Sequence, residues 1–583
     1  MHYIEKIHHH AQTRPDINAI SQKLDDTWRH VTWRQLWQQV ELTARQLQAD
    51  GVAQGDRIAI FADNSIEWTI VDFACIYLGA VSVPVYATSS PNQLQYILDH
   101  SGAKVLFVDA KLINTFVEAK PKLSQTINAI SFGSTEHNLP SFEHWQQSGS
   151  VRVKALSIYK PNKEDLLTII YTSGTTGDPK GVMLNHGNLM AVIKVHLESL
   201  DYSDTDRSLA VLPLSHVYER GWTFVTLYLG VHNHYLANVN ELQASLLDVK
   251  PHVFCAVPRI FEKIHAGIFA KAKKAGVVNL AILNWASFRV LRNQRLLQQG
   301  KKLGVYRKAS QAIAVKLVGK KIQQALGGNI RFMPSGGASL DPEIHGFFLG
   351  LGVNIKLGYG MTETFATVSF IPDTGYKLNT VGKPIQDISI KIDPKEGEIL
   401  VRSPCMTSGY YKNPEATAEL FQDGWLKTGD AGSIDEQGNL VFRERLKELM
   451  KTSGGKYIAP QQIEGVLIRE PLFEQVAVIA DSRKFVSALI VPAWQLLEEY
   501  AQSINITYTD RVELLRHSSI IEHVKQRLEL VQHELAKYER VKNFTLLVRE
   551  FSITEGEITP TLKLRRKVIS ARFSESIDKM YGL

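Results

Sequence analysis

Leu166-Leu167-Thr168-Ile169-Ile170-Tyr171 runs straight into Thr172-Ser173-Gly174-Thr175-Thr176-Gly177-Asp178-Pro179-Lys180-Gly181. The first six residues have the continuous apolar texture of a strand buried on both faces. The loop that follows carries four Ser/Thr hydroxyls and two glycines ahead of a lysine. Its hydroxyls and backbone N–H groups suit the wrapping of phosphate oxygens, glycine permits the close approach, and Lys180 adds positive charge. It is not a Walker A loop, because Gly181 rather than Ser or Thr follows Lys180. Beyond it, Leu189, Val192, Ile193, His196, Leu197 and Leu200 recur at helical spacing behind Asn185 and Asn188. Strand, phosphate loop and helix in that order predict an α/β unit.

Working outward, Val253 to Val257 reads as a strand closed by Pro258. Ile330 to Met333 reads as another, ending at Pro334 with Ser335-Gly336-Gly337 next. Val353 to Leu357 leads into Gly358-Tyr359-Gly360. Three strands feeding Gly-containing loops predict a ligand site at strand carboxyl ends. After Val441 the texture changes to a Pro460-started helix with Ile463, Val466 and Leu467 on one face. Strands Val476 to Ile479 and Val486 to Val491 and a charged helix around Glu522 to Lys537 follow. That is an α+β unit of roughly 140 residues, a domain by size. The expected fold class is α/β, with a large multi-subdomain α/β domain over 1–444 and a small mobile α+β domain over 445–583.

The motifs recur in a fixed order. After the Thr172 loop come Gly358-Tyr359-Gly360-Met361-Thr362-Glu363, Trp425-Leu426-Lys427-Thr428-Gly429-Asp430, Arg443-Glu444-Arg445-Leu446-Lys447-Glu448, Ser453-Gly454-Gly455-Lys456 and Thr559-Pro560-Thr561-Leu562-Lys563. In this order they resemble the AMP-forming acyl-adenylating superfamily of acyl-CoA synthetases and luciferases, over almost the whole chain. The resemblance implies ATP, Mg²⁺ and coenzyme A as cofactor and co-substrates. It assigns Thr172, Ser173, Gly174, Thr175, Thr176, Gly177 and Lys180 to the phosphates, with Thr175 also catalytic. Gly337, Ala338, Gly358, Tyr359, Gly360 and Thr362 fall to the adenine region, Asp430 and Arg445 to the ribose, and Glu363 to catalysis and the metal. It makes Lys447 the hinge, Lys563 the catalytic lysine, and puts His216, Gly455 and Lys456 near acyl chain or CoA.

The residue types suit those roles. Asp430 is an acceptor-only carboxylate for ribose hydroxyls, and Arg445 a permanently charged fork. Glu363 is a hard oxygen ligand for Mg²⁺. Lys563 can meet charge building on phosphoryl oxygens. Its neighbours Arg565, Arg566 and Lys567 also allow a solvated basic tail.

Leu212-Pro213-Leu214-Ser215-His216-Val217-Tyr218-Glu219-Arg220 and Val257-Pro258-Arg259-Ile260-Phe261-Glu262-Lys263-Ile264 resemble the long-chain fatty acid–CoA ligases, with Glu219-Arg220 expected as a buried ion pair. Relatives with a gating tryptophan carry it where this chain has Arg220, so no gate role is given to Trp222. The expected reaction is ATP-dependent activation of a fatty acid to acyl-AMP, then transfer to CoA. Two alternatives stand: a fatty acyl-AMP ligase loading a carrier protein, and a non-catalytic basic membrane or nucleic-acid binder.

The chain's 583 residues are 44% hydrophobic and 21% charged, too apolar for disorder. Cys75, Cys255 and Cys405 are far apart, with no disulfide framework. No secretory h-region or membrane span is expected, which predicts a cytoplasmic protein. His8-His9-His10 reads as an exposed helix end. The net charge is +7, but residues 267–326 hold thirteen Lys or Arg and no Asp or Glu. They form a basic helical insertion that is either a solvated face or a peripheral dock on an anionic inner-membrane surface. No nucleic acid is expected as a partner.

Overall fold

The computed structural model describes all residues except 134–135, 149–155, 173–177, 374, 560–562 and 583. Its centre is a seven-stranded sheet in the order Gly409–Tyr410, Lys180–Asn185, Leu166–Thr172, Val81–Val85, Arg57–Phe61, Ala103–Asp109, Asn128–Phe132. The last five of these run parallel, so both faces are covered by helices and their side chains are almost wholly buried. Lys180–Asn185 returns antiparallel on Leu166–Thr172, with Thr172 opposite Lys180. The loop of interest therefore springs from two adjacent strand ends. The helix His186–Ser199 starts at Asn185, whose side chain accepts the Asn188 N–H at 2.8 Å while Asn188 returns the bond.

A second sheet joins Thr27–Thr32, Asn18–Leu24, His232–Tyr235 and Arg207–Ala210. A third joins Met333–Ser335, Ile355–Met361, Ala366–Phe370 and Lys383–Pro384. The expected strand Val253 to Val257 is reduced to bridges. Val253 pairs Ser208 on one side and Phe332 on the other, stitching the two sheets together. Gly358-Tyr359-Gly360 is not a loop after a strand but the strand's own continuation to Met361. Gly360 is demanded there, because a Cβ would lie 1.6 Å from the Ala366 carbonyl oxygen.

Two further local expectations change. His10 lies in the helix Tyr3–Thr13 but is buried, its Nε2 2.9 Å from the Tyr228 carbonyl and its ring against Trp33. Glu219 and Arg220 do not pair. Successive helical residues point about 100° apart, and on the helix Val217–Leu229 they reach different partners. Arg220 binds Asp72 through Nε at 3.0 Å and Nη2 at 2.5 Å, Thr168 Oγ1 at 2.7 Å and Ser82 Oγ at 2.6 Å. That fork nails the helix to the helix Ile66–Leu78 and to two central strands.

The five-stranded sheet of Ser389–Ile392, Glu398–Arg402, Trp425–Ile434, Phe421–Gln422 and Leu440–Arg445 closes the large domain. Arg445 still pairs with Asp430 in this sheet, so the crossing to the smaller domain falls just after it. The smaller domain has the hairpin Met450–Lys451 and Tyr457–Ile458, and the sheet Phe473–Ile479, Val486–Pro492, Val541–Leu546. It has its own apolar core under the helices Pro460–Leu467 and Ser518–Val531. Ion pairs cross between the domains: Arg469 Nε lies 2.7 Å from Asp341 Oδ2, and Arg259 meets Glu474.

Candidate active site

A cleft of about 1120 Å³ opens between the two domains and collects residues from both. Asp430 is part of its lining. Tyr359 donates its hydroxyl to Asp430 Oδ2 at 2.6 Å, and Arg445 Nε lies 3.7 Å from Oδ1. The Asp430 N–H is held by Thr428 Oγ1 at 3.1 Å, and Thr428 in turn binds the Ile399 carbonyl at 2.7 Å. Burial raises the Asp430 carboxyl above the usual carboxylate range, and the Arg445 cation opposes that rise. The strand Ile355–Met361 delivers Tyr359 into this wall, tilted over Phe442 at 5.9 Å between ring centres.

Glu363 stands in a single turn, Thr362–Thr364, immediately after that strand. Its Oε1 accepts the Tyr410 hydroxyl at 2.8 Å, and the Lys180 ammonium lies 4.9 Å from the centre of the Tyr410 ring. Burial pushes the Glu363 carboxyl up and the Tyr410 bond pulls it back. Lysine, phenol and carboxylate thus follow one another along the cleft wall, starting from the strand Lys180–Asn185.

Lys563 reaches the cleft from the smaller domain. Burial, and then the nearby Arg445 cation, lower its ammonium to about 8, while Asp430 and Glu448 oppose the shift. His216 stands close enough to feel that charge, and burial with Lys563 lowers it to about 3. It is therefore neutral near pH 7, with Nδ1 accepting the Tyr218 N–H at 3.1 Å as the cap of its helix. The same cleft is also lined by the apolar side chains of Val192, Leu200, Val217, Trp222 and Phe370. Trp222 is buried there, its indole N–H bound to Ser208 Oγ at 3.0 Å.

Thr172, Lys180, His216, Gly337, Gly358, Tyr359, Gly360, Thr362, Glu363, Asp430, Arg445, Lys447 and Lys563 all line this one cleft. Ser173, Gly174, Thr175, Thr176 and Gly177 lie outside the described residues. Three expected residues are not in the wall. Ala338 is exposed one residue beyond Gly337. Gly455 and Lys456 occupy the exposed turn of the Met450–Ile458 hairpin, with the Lys456 ammonium over the Tyr538 ring at 5.7 Å.

Sequence reading passed over two groups. Tyr410, which holds Glu363, follows Gly409 on a two-residue strand too short for any periodic signal. Glu444 accepts the Gln461 N–H at 2.9 Å across the domain crossing and is pushed up to about 7 by burial. Its place in the Arg443 to Glu448 run was visible, but its burial was not.

Two family matches cover the chain: the AMP-binding enzyme family over residues 7–411, and the AMP-binding enzyme C-terminal domain over 447–582. The chain belongs to the AMP-binding enzyme family. Among curated relatives of this AMP-binding enzyme, the long-chain-fatty-acid–CoA ligase FadD15 of Mycobacterium bovis is 33% identical, covering 98% of this chain and 96% of its own length. The peroxisomal long chain acyl-CoA synthetase 7 of Arabidopsis thaliana is 32% identical over 91% of this chain and 79% of its own. The adenylation domain of a Mycobacterium chelonae carboxylate reductase superposes with a TM-score of 0.81 at 22% identity, covering all of this chain and 91% of that one. An anthranilate CoA ligase solved with anthranoyl-AMP gives 0.77 at 19% identity, over 99% and 98%. The adenylate-forming fold is thereby shown, with its large N-terminal and smaller C-terminal domain.

Proposed function

We propose that this enzyme activates a fatty acid with ATP, releasing pyrophosphate, and transfers the acyl group from acyl-AMP to coenzyme A. The observation that carries this reading is the mixed lining of one cleft, in which two sets of side chains meet. The first is Asp430, Arg445, Lys563, Glu363 and Lys180, and the second Val192, Leu200, Val217, Trp222 and Phe370. A nucleotide fits the first and an acyl chain the second. The relatives named as long-chain ligases support the length class.

In the first half-reaction the fatty carboxylate oxygen attacks the α-phosphorus. An O–P bond forms, the bond to the β-phosphate oxygen breaks, and pyrophosphate leaves. Asp430 accepts the ribose hydroxyls, and Tyr359 and Arg445 hold it in place. Lys563, charged at neutral pH, stabilises the oxygens that gain charge between acyl group and phosphate. Glu363 suits Mg²⁺: a buried hard oxygen donor beside a phosphate-binding loop matches an ion that takes few protein ligands and shares phosphates and water. When bound, the ion neutralises phosphate charge.

In the second half-reaction the CoA sulfur attacks the acyl carbon, a C–S bond forms, the C–O bond to AMP breaks, and the thiol proton passes to solvent. The smaller domain turns about Lys447, withdrawing Lys563 and opening the thiol's path. The substrate is taken up at an anionic membrane surface, to which the chain docks peripherally; no helix among the described residues is long and apolar enough to cross a membrane. Pyrophosphate release dependent on a long-chain fatty acid, followed by acyl-CoA on adding CoA, is the expected result. Acyl-AMP that persists with CoA but is consumed by an acyl-carrier protein would move the reading to carrier loading.

A further inference from the structure

Residues 258–326 build three long helices, Pro258–Lys274, Val277–Gln298 and Val305–Ala314, and a continuation through Val315–Gly319 to Lys320–Ala325. The inward face is settled. Leu283, Ala286 and Val290 are buried, Val290 close against Gly350 of the helix Pro342–Gly350. The outward face is not finished as a solvated surface would be. Nine of the twenty-three exposed large apolar side chains among the described residues fall between Val277 and Leu317, under a tenth of the chain. A helix facing only water has no use for them.

Their positions form two stripes. Val278, Ile282 and, on its flank, Phe288 follow helical spacing along the second helix. Tyr306, Ile313 and Leu317 do so along the next. Val278 is 72% exposed, Tyr306 69% and Ile313 50%. The stripes are tied together: Arg289 Nη2 donates to the Tyr306 hydroxyl at 3.2 Å and its guanidinium lies 5.5 Å from that ring. Cations stand within the same stripes. Arg292 lies over Phe288 at 5.9 Å, and Lys316 and Lys320 share the outward side with Ile313 and Leu317. Of the thirteen Lys and Arg in 267–326, only Lys273 and Arg295 meet a carboxylate among the described residues, Glu499 and Glu343.

We infer that this two-helix face is a dock for an anionic lipid bilayer, its aliphatic and aromatic side chains entering the headgroup–acyl boundary and its lysines and arginines meeting the phosphates. The partner follows from charge complementarity together with the apolar side chains. A nucleic acid would satisfy the cations and leave Val278, Ile282, Ile313 and Leu317 in water. The purpose of the dock, delivery of a poorly soluble acid, rests on the ligase reading; the dock itself does not.

The test is flotation of the full chain with phosphatidylglycerol or phosphatidylcholine vesicles at low and high salt, beside activity on a short, water-soluble fatty acid. The wild type should float with phosphatidylglycerol, more weakly at high salt, and not with phosphatidylcholine. Each cation near such a surface is worth about fivefold in partition. Lys316→Gln/Lys320→Gln should therefore lose about twenty-five-fold. Phe288→Ser/Ile313→Ser/Leu317→Ser should lose binding that persists at high salt, since that part is apolar. Both variants should keep wild-type activity on the soluble acid, which reports their folding. Equal flotation with both lipids, wild-type flotation by both variants, or displacement of the protein from vesicles by duplex DNA at equal phosphate would overturn the dock. Flotation without any ligase activity would instead sink the proposed reaction and leave the dock standing.

Discussion

Lys563 provides the sharpest perturbation. Its ammonium is lowered to about 8 by burial and by Arg445, so it is about 90% charged at pH 7 and about 10% at pH 9. If the charged form acts on the phosphoryl oxygens, the adenylation half-reaction should fall close to tenfold over that interval. Lys563→Ala should cost about 10²- to 10³-fold in the same half-reaction, ~2.7 to 4 kcal/mol, the scale of one lost oxyanion donor. Thioester formation from supplied acyl-AMP should change little, because the interaction belongs to one transition state. A second group complicates the alkaline limb. Glu219, fully buried beside the cleft, is pushed up to about 8 by burial. It accepts the Leu212 N–H at 2.9 Å and lies 3.4 Å from the Cys255 thiol. Its ionisation over the same interval would disturb the loop before His216. Two variants separate them. Lys563→Arg keeps a charge that cannot be lost and should flatten the alkaline limb at reduced rate, whereas Glu219→Gln should leave the limb in place. The assay is pyrophosphate release and acyl-AMP consumption measured separately between pH 6.5 and about 9.5. An unchanged alkaline limb in Lys563→Arg, or equal damage to both half-reactions in Lys563→Ala, would refute the role given to Lys563.

Three other outcomes are expected. Lys447→Pro, which fixes the backbone just past Arg445, should slow one half-reaction selectively; unchanged rates in both would remove Lys447 as the pivot. Asp72→Ala leaves the Arg220 guanidinium buried without its carboxylate, and chemical denaturation should show a loss of about 3–5 kcal/mol; a loss below ~1 kcal/mol would mean Arg220 finds water or another anion. Buried His10, His234 and His345 are lowered to about 4 and His186 to about 3, so the folded state holds them neutral while the unfolded chain takes up protons below about 6.5. Stability is therefore full above pH 6.5 and falls as pH drops, by up to about 2 kcal/mol per histidine at pH 5; a melting temperature flat from pH 7 to pH 5 would contradict this.

What the chain states in its own order was legible without coordinates. The buried strand Leu166–Thr172, the hydroxyl- and glycine-rich run after it, and the Asn185 start of the next helix are all set by neighbours within a few residues, where backbone preference and hydrophobic spacing act. The family and the two-domain plan followed from the order of such local signals. Pairing across the chain was another matter. Asp430 meets Tyr359, 71 residues away, and Arg220 meets Asp72, 148 away. Sequence proximity suggested Glu219 for that arginine instead. A helix turns adjacent side chains apart, so which buried charge each one meets depends on what the far elements bring to its face. The same reason put His10 in the core, made Gly358-Tyr359-Gly360 a strand by pairing it with Ala366–Phe370, and left Gly455 and Lys456 on an outer hairpin. For residues 267–326 the sequence supplied the cations. Only packing decided which side of each helix was taken by the core, and therefore which valines, isoleucines and leucines were left outside with them.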